Sequence, residues 1–180
     1  MLFRSPDIFW DPATRDVIDA YSDVVAYKVD KAELPSVIDR AAAIRELKLM
    51  WTKDPQVIKI GPDDSLHRNE NQVQIELNNT KGRALIMFNI TGDGTVQMLY
   101  PKGSDLAIIP DTAYSFPVKV REPFGHDQIV AITSDQRMSE LEQVLLKLDG
   151  LRAAAQMIKM VQRYVPKDAR IGSAGLYTAP

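Results

Sequence analysis

Residues 83–101 read RALIMFNITGDGTVQMLYP, and the fold turns on how they are read. Two apolar runs flank Gly92-Asp93-Gly94. Successive side chains of a strand point to opposite faces. Ala84, Ile86, Phe88 and Ile90 therefore share one face, and Val96, Met98 and Tyr100 share one face of the return strand. Glycine tolerates positive φ and Asp favours turns, so Gly-Asp-Gly between alternating apolar residues predicts a β-hairpin. The pattern places this hairpin at the centre of a sheet that the rest of the chain covers.

On both sides of the hairpin the sequence continues as short strands and turns. Residues 57–60 read as a strand ended by Gly61-Pro62. In residues 72–77, Val73, Ile75 and Leu77 alternate with Gln72, Gln74 and Glu76. Residues 106–109 read as a short strand stopped by Pro110. Residues 114–120 turn Tyr114, Phe116, Val118 and Val120 inward, with Lys119 and Arg121 outward. Residues 129–132 are continuously apolar, as expected of a strand covered on both sides. Short strands punctuated this often indicate a sandwich or barrel.

Two helical regions bracket this β-rich part. Residues 34–52 place Leu34, Val37, Ile38, Ala41, Ile44, Leu47 and Trp51 on one stripe. Pro35 suits a first turn, Pro55 ends the pattern, and Asp39, Arg40, Arg45, Glu46 and Lys48 fall mostly off the stripe. Near the C-terminus, Ser139-Glu140-Leu141-Glu142 reads as a capping box. Leu141, Val144, Leu145 and Leu148 follow at helical spacing, and Gly150 ends or bends the run. Leu151, Ala154, Ile158, Val161 and Val165 repeat the spacing up to Pro166, while Met157, Met160 and Tyr164 widen the apolar side. Those three are the candidate partner-docking surface. Residues 169–178 suit a last edge strand, with Leu176 and Tyr177 packing back.

Residues 7–29 carry apolar pieces separated by turn residues. Asp11-Pro12 fits either a type I turn or a helix start. The Val and Ile content favours short strands at 8–10, 17–18 and 24–29.

The chain of 180 residues is long enough to bury a core without staples. Its 45% hydrophobic and 26% charged residues are those of a globular protein. A net charge of −2 argues against a general nucleic-acid binder. No apolar run approaches the ~18 residues of a membrane span. The N-terminal residues lack the apolar core of a signal peptide, although a lost upstream region is compatible with Met1. There is no cysteine, which excludes disulfides, thiolate metal sites and a cysteine nucleophile within this chain.

The search for reactive groups returns little. His67 and His126 each sit in polar, turn-rich sequence and read as surface loop residues. Metal-protease, Walker and nucleophile-elbow motifs are missing, and Gly172-Ser173-Ala174-Gly175 has the wrong spacing for an elbow. Asp93 alone cannot make a calcium loop. Asp63-Asp64 reads as a solvated turn, with a weak divalent-ion site beside Glu70 as the minority reading. Trp10, Trp51 and Tyr100 suit packing better than a ligand platform, given their apolar neighbours. The expectation is no catalytic residue, no cofactor and no metal.

Residues 79–134 resemble an uncharacterised bacterial β-domain family. The resemblance rests on LIMFNI (85–90), GDG (92–94), VQMLYP (96–101), FPVKV (116–120) and DQIVAITS (127–134). Members commonly lie C-terminal to caspase-like cysteine peptidases or protein kinases. SPDIFWDP (5–12) and QMIKMVQRY (156–164) look similar to the C-terminal region of alphaproteobacterial caspase-like proteins. The resemblance implies architecture and domain company, with any catalytic Cys and His upstream of this chain. It leaves the compartment open between bacterial cytoplasm and periplasm.

The expected fold is α+β, mainly β: a β-sandwich-like core with one N-terminal helix and a C-terminal helical segment. Residues 1–56 are expected to form an extension packed on a domain of residues 57–180. The expected function is a non-catalytic accessory domain that docks on a protein partner or an upstream catalytic domain, with oligomers possible. The alternative is a ligand-binding module for carbohydrate or a cell-envelope component.

Overall fold

The structure is a computed structural model describing residues 8–50, 54–61 and 66–180. The chain begins with β1 (Ile8–Trp10), β2 (Val17–Asp19) and β3 (Val24–Ala26), then a 3₁₀ turn at Lys31–Glu33 and helix α1 (Leu34–Leu49). Next come β4 (Ile58–Gly61), β5 (His67–Arg68), β6 (Gln72–Asn78), β7 (Arg83–Ile90) and β8 (Val96–Tyr100). The chain continues through β9 (Ile108–Ile109), β10 (Ala113–Lys119) and β11 (His126–Ser134). Helices α2 (Ser139–Leu146) and α3 (Ala154–Tyr164) precede the last strand, β12 (Arg170–Ala179).

The fold is α+β and mainly β, in three layers with a small N-terminal sheet at one end. The central sheet runs β5-β12-β11-β7-β8, with β9 also paired to β7. Strand β7 is apolar at nearly every position, and both of its faces are buried. Ala84, Ile86, Phe88 and Ile90 face a layer of α1, α2 and α3, packing with Leu47, Leu141, Leu145, Met157 and Val161. Leu85 and Met87 face the second sheet, β10-β6-β4, and pack with Val73, Ile75 and Leu77 of β6. Strand β11 is likewise covered on both sides, which is why its sequence does not alternate.

The hairpin forms where expected, with one correction. The register steps from Phe88↔Met98 to Met87↔Tyr100, so Leu99 is an extra residue in β8. A bulge of this kind flips the side chains beyond it. Val96 and Met98 therefore face the helices, while Tyr100 packs between the two sheets. The free edge of β8 is closed by the α2–α3 connection. Val96 donates its N–H to the Leu151 carbonyl at 2.9 Å, and Met98 donates to Asp149 Oδ1 at 2.8 Å. Leu151 thus lies in the connection, 52% exposed, rather than on the stripe of α3.

Other local expectations change in informative ways. Helix α1 buries Val37, Arg40, Ala43 and Leu47 and leaves Ile38 57% exposed, so the buried face is rotated from the apolar stripe to include an arginine. Helix α2 starts at Ser139 with Met138 as its N-cap and no side-chain cap. Glu142 instead pairs with Arg137 through two hydrogen bonds of 2.9 and 3.1 Å, so no capping box forms there. Strand β12 is not a bare edge. It lies between β11 and the short parallel β5, while Gln56 crowds Gly172. Residues 106–107 fall outside β9, and Leu106 is 62% exposed. Trp51 and Asp63-Asp64 lie outside the described residues.

The sheet β1-β2-β3 packs Val17, Val25, Ala26 and Val29 against Val37 of α1. Strand β3 crosses the chain at Gly92 and Gly125. A Cβ at either glycine would sit about 2 Å from the Val25 carbonyl oxygen, at 1.9 and 2.1 Å respectively. Among the described residues no helix is long and apolar enough to cross a membrane.

Candidate functional site

The docking residues expected from the sequence do not form an open surface. Met157 is fully buried in the helical layer, because α3 turns that face onto the central sheet. Met160 and Tyr164 are half-buried against the same cluster. Neither histidine is a loop residue. His67 is buried in β5, and His126 opens β11 with its ring stacked on Tyr177 at 4.3 Å between centroids. Trp10 packs in the N-terminal cluster and donates its indole N–H to the Val29 carbonyl at 3.0 Å. Tyr100 is buried, donates its hydroxyl to the Leu106 carbonyl and meets Tyr114 edge-on at 5.3 Å. Both aromatics are packing residues. No group of three or more His, Cys, Asp or Glu able to hold a metal occurs among the described residues.

The structure draws attention to a cleft of about 500 Å³ between the central sheet and the end of β10. Strand parity builds its floor. Met87 of β7, Ile129 of β11 and Leu176 of β12 all pack between the sheets. Two residues along each strand, on the same face, stand Asn89, Asp127 and Thr178. Gln97 of β8 lies directly opposite Asn89. Where the apolar filling of the sandwich stops, the same face carries four polar side chains. Phe116, Val118 and Val120 form the opposing wall, and the charged residues Lys102, Lys119, Arg121, Glu122 and Asp149 complete the lining.

This floor is under-satisfied. The Asn89 side-chain amide donates to Asp127 Oδ2 at 2.8 Å and to Gln97 Oε1 at 3.1 Å. Asn89 Oδ1 and Asp127 Oδ1 are buried and have no hydrogen-bond partner. Buried polar atoms of this kind are rare in native proteins and call for an explanation. Asp127 is 6% exposed, and burial pushes its carboxyl up to about 7. The Asn89 hydrogen bond, the charge of Arg40 and the Gly92 N–H oppose that rise, and the nearby Asp93 adds to it.

A second polar cluster, behind the floor, locks the strand ends together. Arg40 reaches from α1 to donate to the Thr91 carbonyl at 2.8 Å and to the His126 carbonyl. Its burial lowers its pKa to about 10, against the pull of Asp127 and Asp93. Arg152 bridges Asp93 at 2.9 Å and Glu33 at 2.6 Å. Burial works against the Asp93 charge, but hydrogen bonds from Thr91, Arg152 and Thr95 outweigh it and hold the carboxyl below the usual range. Every member of this cluster has a partner, so it reads as scaffold; the floor, with two unmatched acceptors, reads as a site.

Sequence reading misses Asn89, Gln97 and Asp127. The available signal is parity: each is a polar residue two positions from a buried apolar one in its strand. That pattern becomes a site only once three strands are known to be neighbours. No family model matches the chain, and neither a curated protein nor a solved structure matches it.

Proposed function

We propose that this chain is a non-catalytic recognition domain that binds a small polar ligand in the cleft between its two larger sheets. The pair of buried, unmatched oxygens on Asn89 and Asp127 carries the reading. Ligand sites are concave and mostly apolar, with a few converging polar groups that fix orientation. A cleft of about 500 Å³ walled by Phe116, Val118 and Val120 over a polar floor has that composition. Stable proteins seldom leave two buried acceptors empty, since each costs about 1–3 kcal/mol. A ligand that satisfies them recovers that cost.

The test is a thermal-shift screen of the full chain against saccharides, amino acids and small amines, with binders mapped by NMR. Saturable binding that moves the Asn89 and Gln97 side-chain amide signals supports the reading. Binders that perturb only the helical layer, or none at all, overturn it. A hydrolase panel on the same chain should show no turnover; robust turnover abolished by His126→Ala would replace the binding reading with an enzymatic one.

A protein-docking role, as in an accessory domain of a caspase-like protein, is favoured by a different observation. Ile38 and Leu49 of α1 are 57% and 82% exposed. Eleven residues is close to three helical turns, so both lie on one side of the helix. Ile38→Glu with Leu49→Glu should abolish co-purification with a partner while leaving cleft binding intact.

A further inference from the structure

We propose that the cleft floor takes the N–H-bearing cationic group of an organic ammonium or guanidinium ligand, with Asp127 as its counter-charge and Asn89 as its second acceptor. This rests on the cleft being a binding site and goes on to say what chemistry it selects.

The donor and acceptor inventory of the floor decides the class. Both N–H bonds of the Asn89 amide are spent, one on Asp127 Oδ2 and one on Gln97 Oε1. What remains unmatched is Asn89 Oδ1 and Asp127 Oδ1, both acceptors. The group that completes the floor must therefore be a donor, and an ionised carboxylate or phosphate has no hydrogen to offer these two oxygens. Charge narrows the class further. Asp127 is almost wholly buried, and its contacts are the Asn89 amide and the Gly92 N–H. Arg40, the nearest cation in its field, is already turned to the Thr91 and His126 carbonyls. Among the described residues no cationic group is within hydrogen-bonding reach of this carboxylate. A buried carboxylate without a paired cation is costly, and a hydrogen-bonded cation relieves that cost. An ammonium or guanidinium brings charge and donors together, whereas a sugar hydroxyl brings a donor alone.

The rim does not oppose this. Lys119 and Arg121 also line the cleft, and both pair with Glu70, which offsets part of their charge. At the mouth Lys102 is balanced by Glu122 and Asp149. The wall of Phe116, Val118 and Val120 suits the alkyl stem of such a ligand.

The test uses the full chain at pH 8, where Asp127 is ionised, with n-butylguanidinium and n-butylamine as probes. Butyramide, n-butanol and butyrate are the neutral and anionic controls. Binding is read by titration calorimetry and by the Asn89 side-chain amide signals. The cations should bind and move those signals, the controls should bind at least tenfold more weakly, and Asp127→Asn should weaken the cations at least tenfold. Because that variant changes a buried group, the wild-type Asp127 carboxyl ¹³C signal is followed too and should move with cation binding. Neutral compounds that occupy the cleft as well as the cations do would overturn this inference and leave the binding site standing. Undiminished cation binding by a folded Asp127→Asn chain would do the same. Absence of any cleft binding across all five compounds and the wider screen would overturn both.

Discussion

Arg40 donates its Nε–H to the Thr91 carbonyl at 2.8 Å, tying a helix of the outer layer to the loop of the central hairpin. The same guanidinium holds the His126 carbonyl at the start of β11, so one side chain fixes the ends of two neighbouring strands. Arg40→Met keeps the bulk of the stem and removes both hydrogen bonds. A charged donor to a backbone carbonyl contributes about 1.5–3 kcal/mol, and the loss exposes unmatched acceptors. The expected cost is about 2–4 kcal/mol by urea denaturation. Arg40→Lys should recover only part of it, because one ammonium lacks the fork that spans both carbonyls.

The crossing of β3 over the hairpin loop gives a steric prediction. A methyl group at Gly92 would lie 1.9 Å from the Val25 carbonyl oxygen, closer than any van der Waals contact allows. Gly92→Ala should therefore destabilise the chain by more than about 2 kcal/mol, as forced backbone movement in a packed region does. A methyl group at Gly61 in β4 would meet nothing within 4 Å, and Gly61→Ala should lie within about 0.5 kcal/mol of wild type. Urea denaturation of the two variants side by side checks both.

Burial of the C-terminal helix gives a third. Ile158 is 2% exposed in the helical layer beside Phe88 and Leu47. Ile158→Asp places an unpaired charge there and should cost about 3–5 kcal/mol, lowering the melting temperature steeply. A variant that melts like wild type would mean that α3 is not core.

Two neighbouring residues oppose each other in their pH dependence. Asp127 has a folded pKa raised to about 7, so between about pH 4 and 7 the folded chain holds a proton that the unfolded chain has lost. Its contribution to stability falls as pH rises through that window, on the order of 1 kcal/mol per pH unit. His126 is lowered to about 4 by burial and by the charge of Arg40, with Asp19 and Asp23 pulling the other way and Lys48 adding to the fall. Between pH 6.5 and 4 the unfolded chain gains a proton that the folded chain refuses, so its contribution falls as pH falls. The two slopes oppose each other below pH 6.5. Asp127→Asn should unmask a stability that rises from about pH 4.5 to 6.5, and His126→Gln one that falls. Denaturation midpoints at three pH values decide both.

The layers are legible in sequence because burial on two sides leaves its own mark. Residues 129–132 do not alternate, and residues 73–77 do, which separates a strand covered on both faces from one with an open face. Less is legible where one residue changes the geometry. The bulge at Leu99 has no signature in an apolar run, so simple alternation puts Tyr100 on the wrong face. Arg40 sits three residues from both Val37 and Ala43, at the spacing of a buried face, but its charge argues for solvent. The cleft floor is hidden for a further reason. Asn89, Gln97 and Asp127 come together through the pairing of β7 with β8 and β11, and local periodicity carries no information on which strands are neighbours.

The most direct measurement is the ¹³C signal of the Asp127 carboxyl, followed from about pH 3 to 9 with and without saturating n-butylguanidinium. A buried carboxylate with one unmatched oxygen at the cleft floor should titrate near 7 in the free chain and move well below that when the cation is bound. A midpoint near the ordinary 3.8 that does not respond to the cation would mean a solvated acid, and no binding floor.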